Sequence, residues 1–166
     1  MSEPSMPSPS PRTRPLLLID VDGVLLVVRS SLTDDDEAID DEPTLHPEAG
    51  AWLRELAEVF DLAWATTWED LANRVIAPSL GIAALPAIEF DMARHLPTPK
   101  LPSVIAWVGD RPCAWIDDDL HHDADTWAAG RAVPTLLVHA DMTVGMERRH
   151  VDQLLAWARE IRRRLD

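Results

Sequence analysis

The sequence predicts an α/β fold, a parallel sheet with helices on both of its faces. Three observations carry this. Short apolar runs alternate with longer amphipathic stretches from residue 16 onward. The first run, "LLLID" (16–20), is apolar up to its last residue, the pattern of a strand covered on both faces. Acids, a hydroxyl and a lysine fall at or beyond the ends of these runs, where parallel sheets bind their ligands.

The elements follow in order. "MSEPSMPSPSPRTRP" is rich in proline and has no apolar segment, so residues 1–15 read as a disordered tail rather than a signal peptide, and 16–166 as one domain. After the first strand come a β-hairpin flap with an acidic run (34–42) and the helix "PEAGAWLRELAEVF" (47–60). Pro47 starts that helix, and Trp52, Leu53, Leu56 and Phe60 share one face. "DLAWAT" (61–66) is the second core strand. "WEDLANRVIAPSL" (68–80) reads as a helix with Thr67 as N-cap, Gly81 as its stop and Pro78 fraying the last turn. A short helix (102–108) stops at Gly109, and "CAWID" (113–117) is the third core strand. "HDADTWAAG" is helical to Gly130, with Asp119 expected as its cap, and "PTLLVH" (134–139) is the fourth strand. The last helix, 146–165, repeats Val151, Leu154, Leu155, Ala158, Ile161 and Leu165 at helical spacing.

Composition excludes some functions. A net charge of −14, with residues 34–48 holding many acids and no Lys or Arg, argues against strong general nucleic-acid binding, which needs clustered cations. No apolar run reaches the ~18 residues of a membrane span. The single cysteine, Cys113, excludes an internal disulfide and opens a buried strand, so it reads as inert packing in a reducing compartment, and a cytoplasmic location is expected.

The chemistry gathers at the strand ends. Asp20 and Asp22 stand at i and i+2, so on an extended chain their carboxylates converge on one site. Two facing carboxylates repel unless a cation intervenes. Gly23 permits a tight turn behind them. Thr66 ends strand two, and Asp117, Asp118 and Asp119 end strand three. Lys100 lies in "LPTPKLP" between them and is the only lysine among 15 basic residues. A hard divalent cation with oxygen ligands suits such acids, and Mg²⁺ is the usual choice where phosphate is handled. His121 and His122 read as surface residues at a helix start.

These residues resemble the motifs of the haloacid dehalogenase (HAD) superfamily. "LLLIDVDGVL" is similar to its Asp-x-Asp-Gly first motif, "LAWATTW" to its second, Lys100 to its third and "AWIDDD" to its fourth, in the family's order over roughly residues 16–140. "ATTWEDLANRVIAPSLG", "GDRPCAWIDDD" and "PTLLVHADMTVG" resemble the HAD domain of Swiss Army Knife RNA repair proteins. The resemblance implies a Rossmann-like (HAD-like) fold and an Mg²⁺-dependent phosphatase. Asp20 would be the nucleophile that forms an aspartyl-phosphate and Asp22 the general acid and base, with Thr66 and Lys100 on the phosphoryl group. Asp20, the Asp22 backbone carbonyl and Asp117 or Asp118 would hold the metal, with Asp118 favoured as the direct ligand. Thr66 rather than Thr67 would be the phosphate contact.

The intervals from Asp20 to Thr66 and from Thr66 to Lys100 are too short for a separate cap domain. An open site of this kind admits a nucleotide, a nucleic-acid end or a phosphoprotein, whereas the acidic flap disfavours long polyanions. Two other classes stay open: a HAD-like binding module with little turnover, and a phospho-receiver signalling domain.

Overall fold

The structure, a computed structural model, describes residues 14–28 and 42–166. Most of the predicted tail, and all of the acidic run except Glu42, lie outside the described residues.

A four-stranded, fully parallel sheet forms the centre, in the order β4-β1-β5-β6. Its strands are β1 (Leu16–Ile19), β4 (Asp61–Trp64), β5 (Cys113–Asp117) and β6 (Thr135–His139). Between β1 and β4 the described residues add an antiparallel ribbon of β2 (Leu26–Val27) and β3 (Thr44–Leu45), then helix α1 (Ala49–Leu56). Helices α2 (Leu71–Leu80) and α3 (Leu101–Val108) join β4 to β5; α4 (His122–Gly130) joins β5 to β6, and α5 (Arg148–Leu165) closes the chain.

Alternation along the strands builds two cores. Leu17, Ile19, Leu62, Trp64, Ala114 and Ile116 face α1, α2 and α5, whereas Leu16, Leu18, Ala63, Cys113 and Trp115 face α3 and α4. Both sides of β1 are therefore covered, which is why its sequence is apolar without alternation. Helix α1 and the final turn of α2 pack closely, because a Cβ on Gly50 would strike the carbonyl of Leu80.

The switch in direction lies at β1. The chain leaves β1 to one side through α1, on the first face, and β5 takes the other side of β1 and leads into α4, on the opposite face. Where helices of opposite faces diverge, a crevice opens beyond the carboxyl ends of the two strands. Asp20 follows β1, and Asp117 closes β5.

Local departures from expectation have identifiable causes. The helix expected over 68–80 begins at Leu71, because residues 67–70 form turns in which Glu69 takes φ +49°. Thr67 therefore caps nothing, and Asp70 holds the N-cap position. Pro78 does not fray the helix. α2 runs through it to Leu80, and the αL residue Gly81 and then Ile82 tie their N–H groups back to the carbonyls of Pro78 and Ala77. At the other end of the domain, Arg14 and Pro15 are part of the folded unit, since Asp61 N–H donates to Pro15 O and Arg14 Nη1 to Ala57 O. Among the described residues, no helix is long and apolar enough to cross a membrane.

Candidate functional site

Three carboxylates meet at the crevice. Asp20, Asp117 and Asp118 each bring an oxygen within 4.8 Å of the others, and Asp20 and Asp117 are almost wholly buried. Backbone bonds fix the approach of both loops. Asp20 N–H donates to Ile116 O, tying the end of β1 to β5, and Val21 N–H donates to Asp20 Oδ1 at 2.8 Å. Beyond β5, Asp119 N–H donates to Asp117 Oδ1. Gly23, at φ +75°, faces Asp118 so closely that a Cβ there would overlap its carboxylate.

Lys100 supplies the one cation of this group. It stands at the N-cap of α3, and its Nζ lies 2.8 Å from Asp117 Oδ2, 3.1 Å from Asp20 Oδ1 and 3.0 Å from the Ala65 carbonyl that it bonds. The Phe90 ring lies 5.9 Å from the ammonium. Burial pushes the Lys100 pKa down, but Asp117 and Asp20 push it up by more, so the ammonium stays charged.

The acids are under opposite stress. Burial, and then the Asp117 charge, hold the Asp20 carboxyl well above the usual range, with Lys100 only partly offsetting them. Burial and Asp117 also raise Asp118, with the neighbouring Asp20 carboxyl only partly offsetting them. Three close acids and one ammonium leave negative charge that only a proton or a cation can relieve. An all-carboxylate oxygen donor set fits a hard divalent ion, so this buried cluster could hold a metal.

The sequence-derived site residues are distributed around it. Asp20, Lys100, Asp117 and Asp118 come together as expected. Thr66 is fully buried two residues beyond β4, adjacent to the Ala65 carbonyl that Lys100 bonds, and its Oγ1 accepts the Trp68 N–H at 3.2 Å. The Asp22 carboxylate does not join the acids. β1 ends at Ile19 and the chain bends at Val21, whose carbonyl accepts N–H bonds from Val24, Leu25 and Leu26, so the i, i+2 rule for extended chain no longer applies. Asp22 is exposed, and its Oδ2 instead accepts a 2.9 Å bond from the indole Nε1–H of Trp68. The metal role suggested for Asp22 asks only for its backbone carbonyl.

Asp119 does not cap α4. Its Oδ1 lies 2.6 Å from His121 Nε2, and His121 itself occupies the N-cap position, with His122 as the first helical residue.

Two contacts were not foreseen. Thr98, also fully buried, donates through Oγ1 and N–H to the two oxygens of Asp123 at 2.6 and 3.1 Å and accepts the His121 N–H, clamping the loop before Lys100 to the start of α4. Trp68, read as the first residue of a helix, reaches Asp22. The available signal was an aromatic N–H donor just beyond a strand-end threonine. No comparable signal marked Thr98.

Cys113 is buried, as expected, and burial raises its thiol to about 11, so it stays protonated. Two hollows of about 250 Å³ flank the β2–β3 ribbon, both touching Leu45, His46 and Pro47, and neither is lined by the acids.

No protein-family model matches the chain, and no curated protein does. Among solved structures, a hypothetical protein from Xanthomonas campestris aligns over 93% of this chain and 87% of its own, at 19% identity and a TM-score of 0.48. Another aligns over 88% and 81%, at 18% identity and a TM-score of 0.42. The site is therefore read from its own geometry.

Proposed function

We propose that the chain is a HAD-type phosphoric monoester hydrolase without a cap domain, which uses Mg²⁺ and an aspartyl-phosphate on Asp20. The observation that supports this reading is the meeting of Asp20, Lys100, Asp117 and Asp118 at one sheet edge, in the chain order of the motifs they resemble.

The roles follow from the contacts. Asp20 Oδ1 is occupied by the Val21 N–H and Lys100, so Oδ2 is the oxygen assigned to attack phosphorus. Asp20, Asp118, the Asp22 carbonyl and Asp117 would hold the ion, whose contribution is to offset charge on the transferring phosphoryl oxygens. Lys100, anchored by Asp117 and the Ala65 carbonyl, places an ammonium beside both the nucleophile and the phosphoryl group. Thr66 offers its hydroxyl proton, since its oxygen already accepts from Trp68. Asp22 is the general acid for the leaving oxygen and then the base for water. Between β1 and β4 the described residues form only a short ribbon and one helix. This suits an open site for nucleotides, nucleic-acid ends or phosphoproteins.

The test is phosphate release from 4-nitrophenyl phosphate and from a panel of nucleotides, 3′- and 5′-phosphorylated oligonucleotides and phosphopeptides. Turnover is expected with Mg²⁺ and lost on chelation. Absence of turnover across the panel, or full turnover in chelator, overturns the reading.

A further inference from the structure

We infer that Trp68 is a positioning residue, whose indole N–H holds the Asp22 carboxylate for proton transfer to poor, unactivated alcohol leaving groups. This rests on the hydrolase reading above and adds a residue and a substrate class to it.

The geometry supplies the reason. Asp22 is exposed, and an exposed carboxylate with no fixed partner samples several rotamers. Its Oδ2 accepts the 2.9 Å bond from Trp68 Nε1–H. The indole nitrogen is a donor only. It therefore commits Oδ2 as an acceptor and leaves Oδ1 to carry the mobile proton.

Trp68 is itself well anchored. Its half-buried ring packs against the core shared by β1, β4 and α1, and its own N–H donates to Thr66 Oγ1. The next residue, Glu69, takes φ +49°, and its Oε1 accepts the Phe90 N–H at 3.2 Å. A positive φ at a non-glycine residue costs of order 1 kcal/mol or more and persists only where surrounding contacts hold it. This turn thus ends the strand, breaks the helix and aims the indole at Asp22.

The step balances. Asp20 Oδ2 forms a bond to phosphorus as the P–O(alcohol) bond breaks, and Asp22 Oδ1 gives its proton to the departing oxygen, releasing the alcohol. Water then attacks the aspartyl-phosphate, Asp22 Oδ1 takes the water proton, and inorganic phosphate leaves with Asp20 restored. Proton donation matters most when the leaving oxygen is strongly basic, as in alkyl or sugar esters. It matters least for 2,4-dinitrophenolate, which departs as an anion.

Trp68→Phe keeps the ring and removes only the N–H. General acid catalysis is worth ~10²–10⁴-fold, and we expect Trp68→Phe to lose at least ~10-fold in kcat on an alkyl phosphate, with KM within ~2-fold. On 2,4-dinitrophenyl phosphate the kcat/KM of the same variant, which reports only the steps up to departure of the phenolate, should stay within ~2-fold of wild type. In an Asp22→Asn background, Trp68→Phe should add little, as expected for residues that act as a unit. Trp107→Phe, at an exposed position on α3, should leave both substrates unaffected.

A second readout needs neither substrate nor metal: the Trp68 indole N–H resonance, assigned by through-bond correlation to the Trp68 backbone, should shift in Asp22→Ala. The outcomes separate. A wild-type protein inactive on every ester overturns the hydrolase reading and this inference together. An active wild type whose Trp68→Phe loses kcat/KM equally on both esters, or on neither, overturns the inference alone. An unmoved indole resonance also overturns it, even if Trp68→Phe fails to fold.

Discussion

The two ends of the central sheet both concentrate charged side chains, yet they use them differently. At the amino end, Arg131 donates to Cys113 Sγ, Thr135 Oγ1 and the carbonyls of Gly109 and Arg111, and lies over the Trp127 ring. Arg111 pairs with Asp61 at 2.7 Å and donates to the Arg14 carbonyl. The cations there serve as staples between loops and strands. At the carboxyl end, three acids crowd one ammonium, and two of those acids are held above their usual range. Each end ties loops to strands through charged groups, so such ties alone do not mark a site. An uncompensated charge does, since the fold gains nothing by keeping it.

If the ends differ in this way, substitutions at one should cost activity and at the other stability. The largest effect is expected for Asp20→Asn, which removes the assigned nucleophile. Phosphate ester turnover should fall by at least ~10³-fold, while the metal-free melting temperature stays level or rises because less charge is buried. Steady-state kinetics and thermal melts check both halves, and near-wild-type turnover would remove Asp20 from the chemistry.

Next comes Lys100→Arg. The wider guanidinium cannot keep the 2.8 and 3.1 Å contacts to Asp117 and Asp20 without displacing one of them, and a small misplacement at a reacting centre can cost ~10²-fold. A loss of that size in kcat/KM is expected with little change in melting temperature, whereas Arg94→Lys should change neither. Full activity in Lys100→Arg would sever the third motif from the site.

The reverse pattern is expected at the amino end. Arg131→Leu leaves the Gly109 and Arg111 carbonyls without their donor, a cost of about 2 kcal/mol, or a fall of ~4–8 °C in melting temperature for a chain of this size. Its kcat/KM should match wild type. A stable Arg131→Leu with poor turnover would reverse the assignment of the two ends.

The smallest effect falls between them. Thr98→Val removes the hydroxyl bond to Asp123 and loosens the loop that carries Lys100, so a several-fold loss in kcat/KM is expected with a modest loss of stability. Burial raises the Asp123 pKa, but the two Thr98 bonds together with the N–H groups of Ala124 and Asp123 itself lower it by more, so the folded value lies below the unfolded one. That contribution is present above the ordinary carboxylate value of ~3.9 and is lost as pH falls through the folded value. The gap in melting temperature between wild type and Thr98→Val should therefore narrow at acid pH. A gap independent of pH would show that Asp123 is not the partner that matters.

How much of this was legible follows from where simple periodicities hold. β1 and β5 could be read because burial on both faces leaves a continuous apolar run, and Lys100 because a lone lysine in an arginine-rich chain draws attention. The three acids of the cluster were legible as strand-end residues. The side chain of Asp22 was not, because period-two reasoning stops with the strand at Ile19. The start of α2 was misplaced because "WEDL" has helical propensity, and nothing local reveals that Glu69 will adopt a left-handed backbone to reach Phe90. Asp119 was assigned a cap by its position before a helix, whereas its actual partner is the His121 ring. Contacts that depend on a second loop arriving, such as Thr98 with Asp123, have no imprint on spacing at all.

Gly23 carries a further consequence. Its left-handed backbone and its missing side chain both belong to the loop after the first strand, yet the space it leaves is filled by Asp118, from the loop after the third core strand. The two loops interlock at the scale of one methyl group. The constraint falls on position 23: a side chain there would meet the Asp118 carboxylate, and shortening residue 118 to make room discards that carboxylate and still leaves the strain of the positive φ. Any redesign of position 23 must therefore reckon with Asp118, nearly a hundred residues away in the chain and in contact in space.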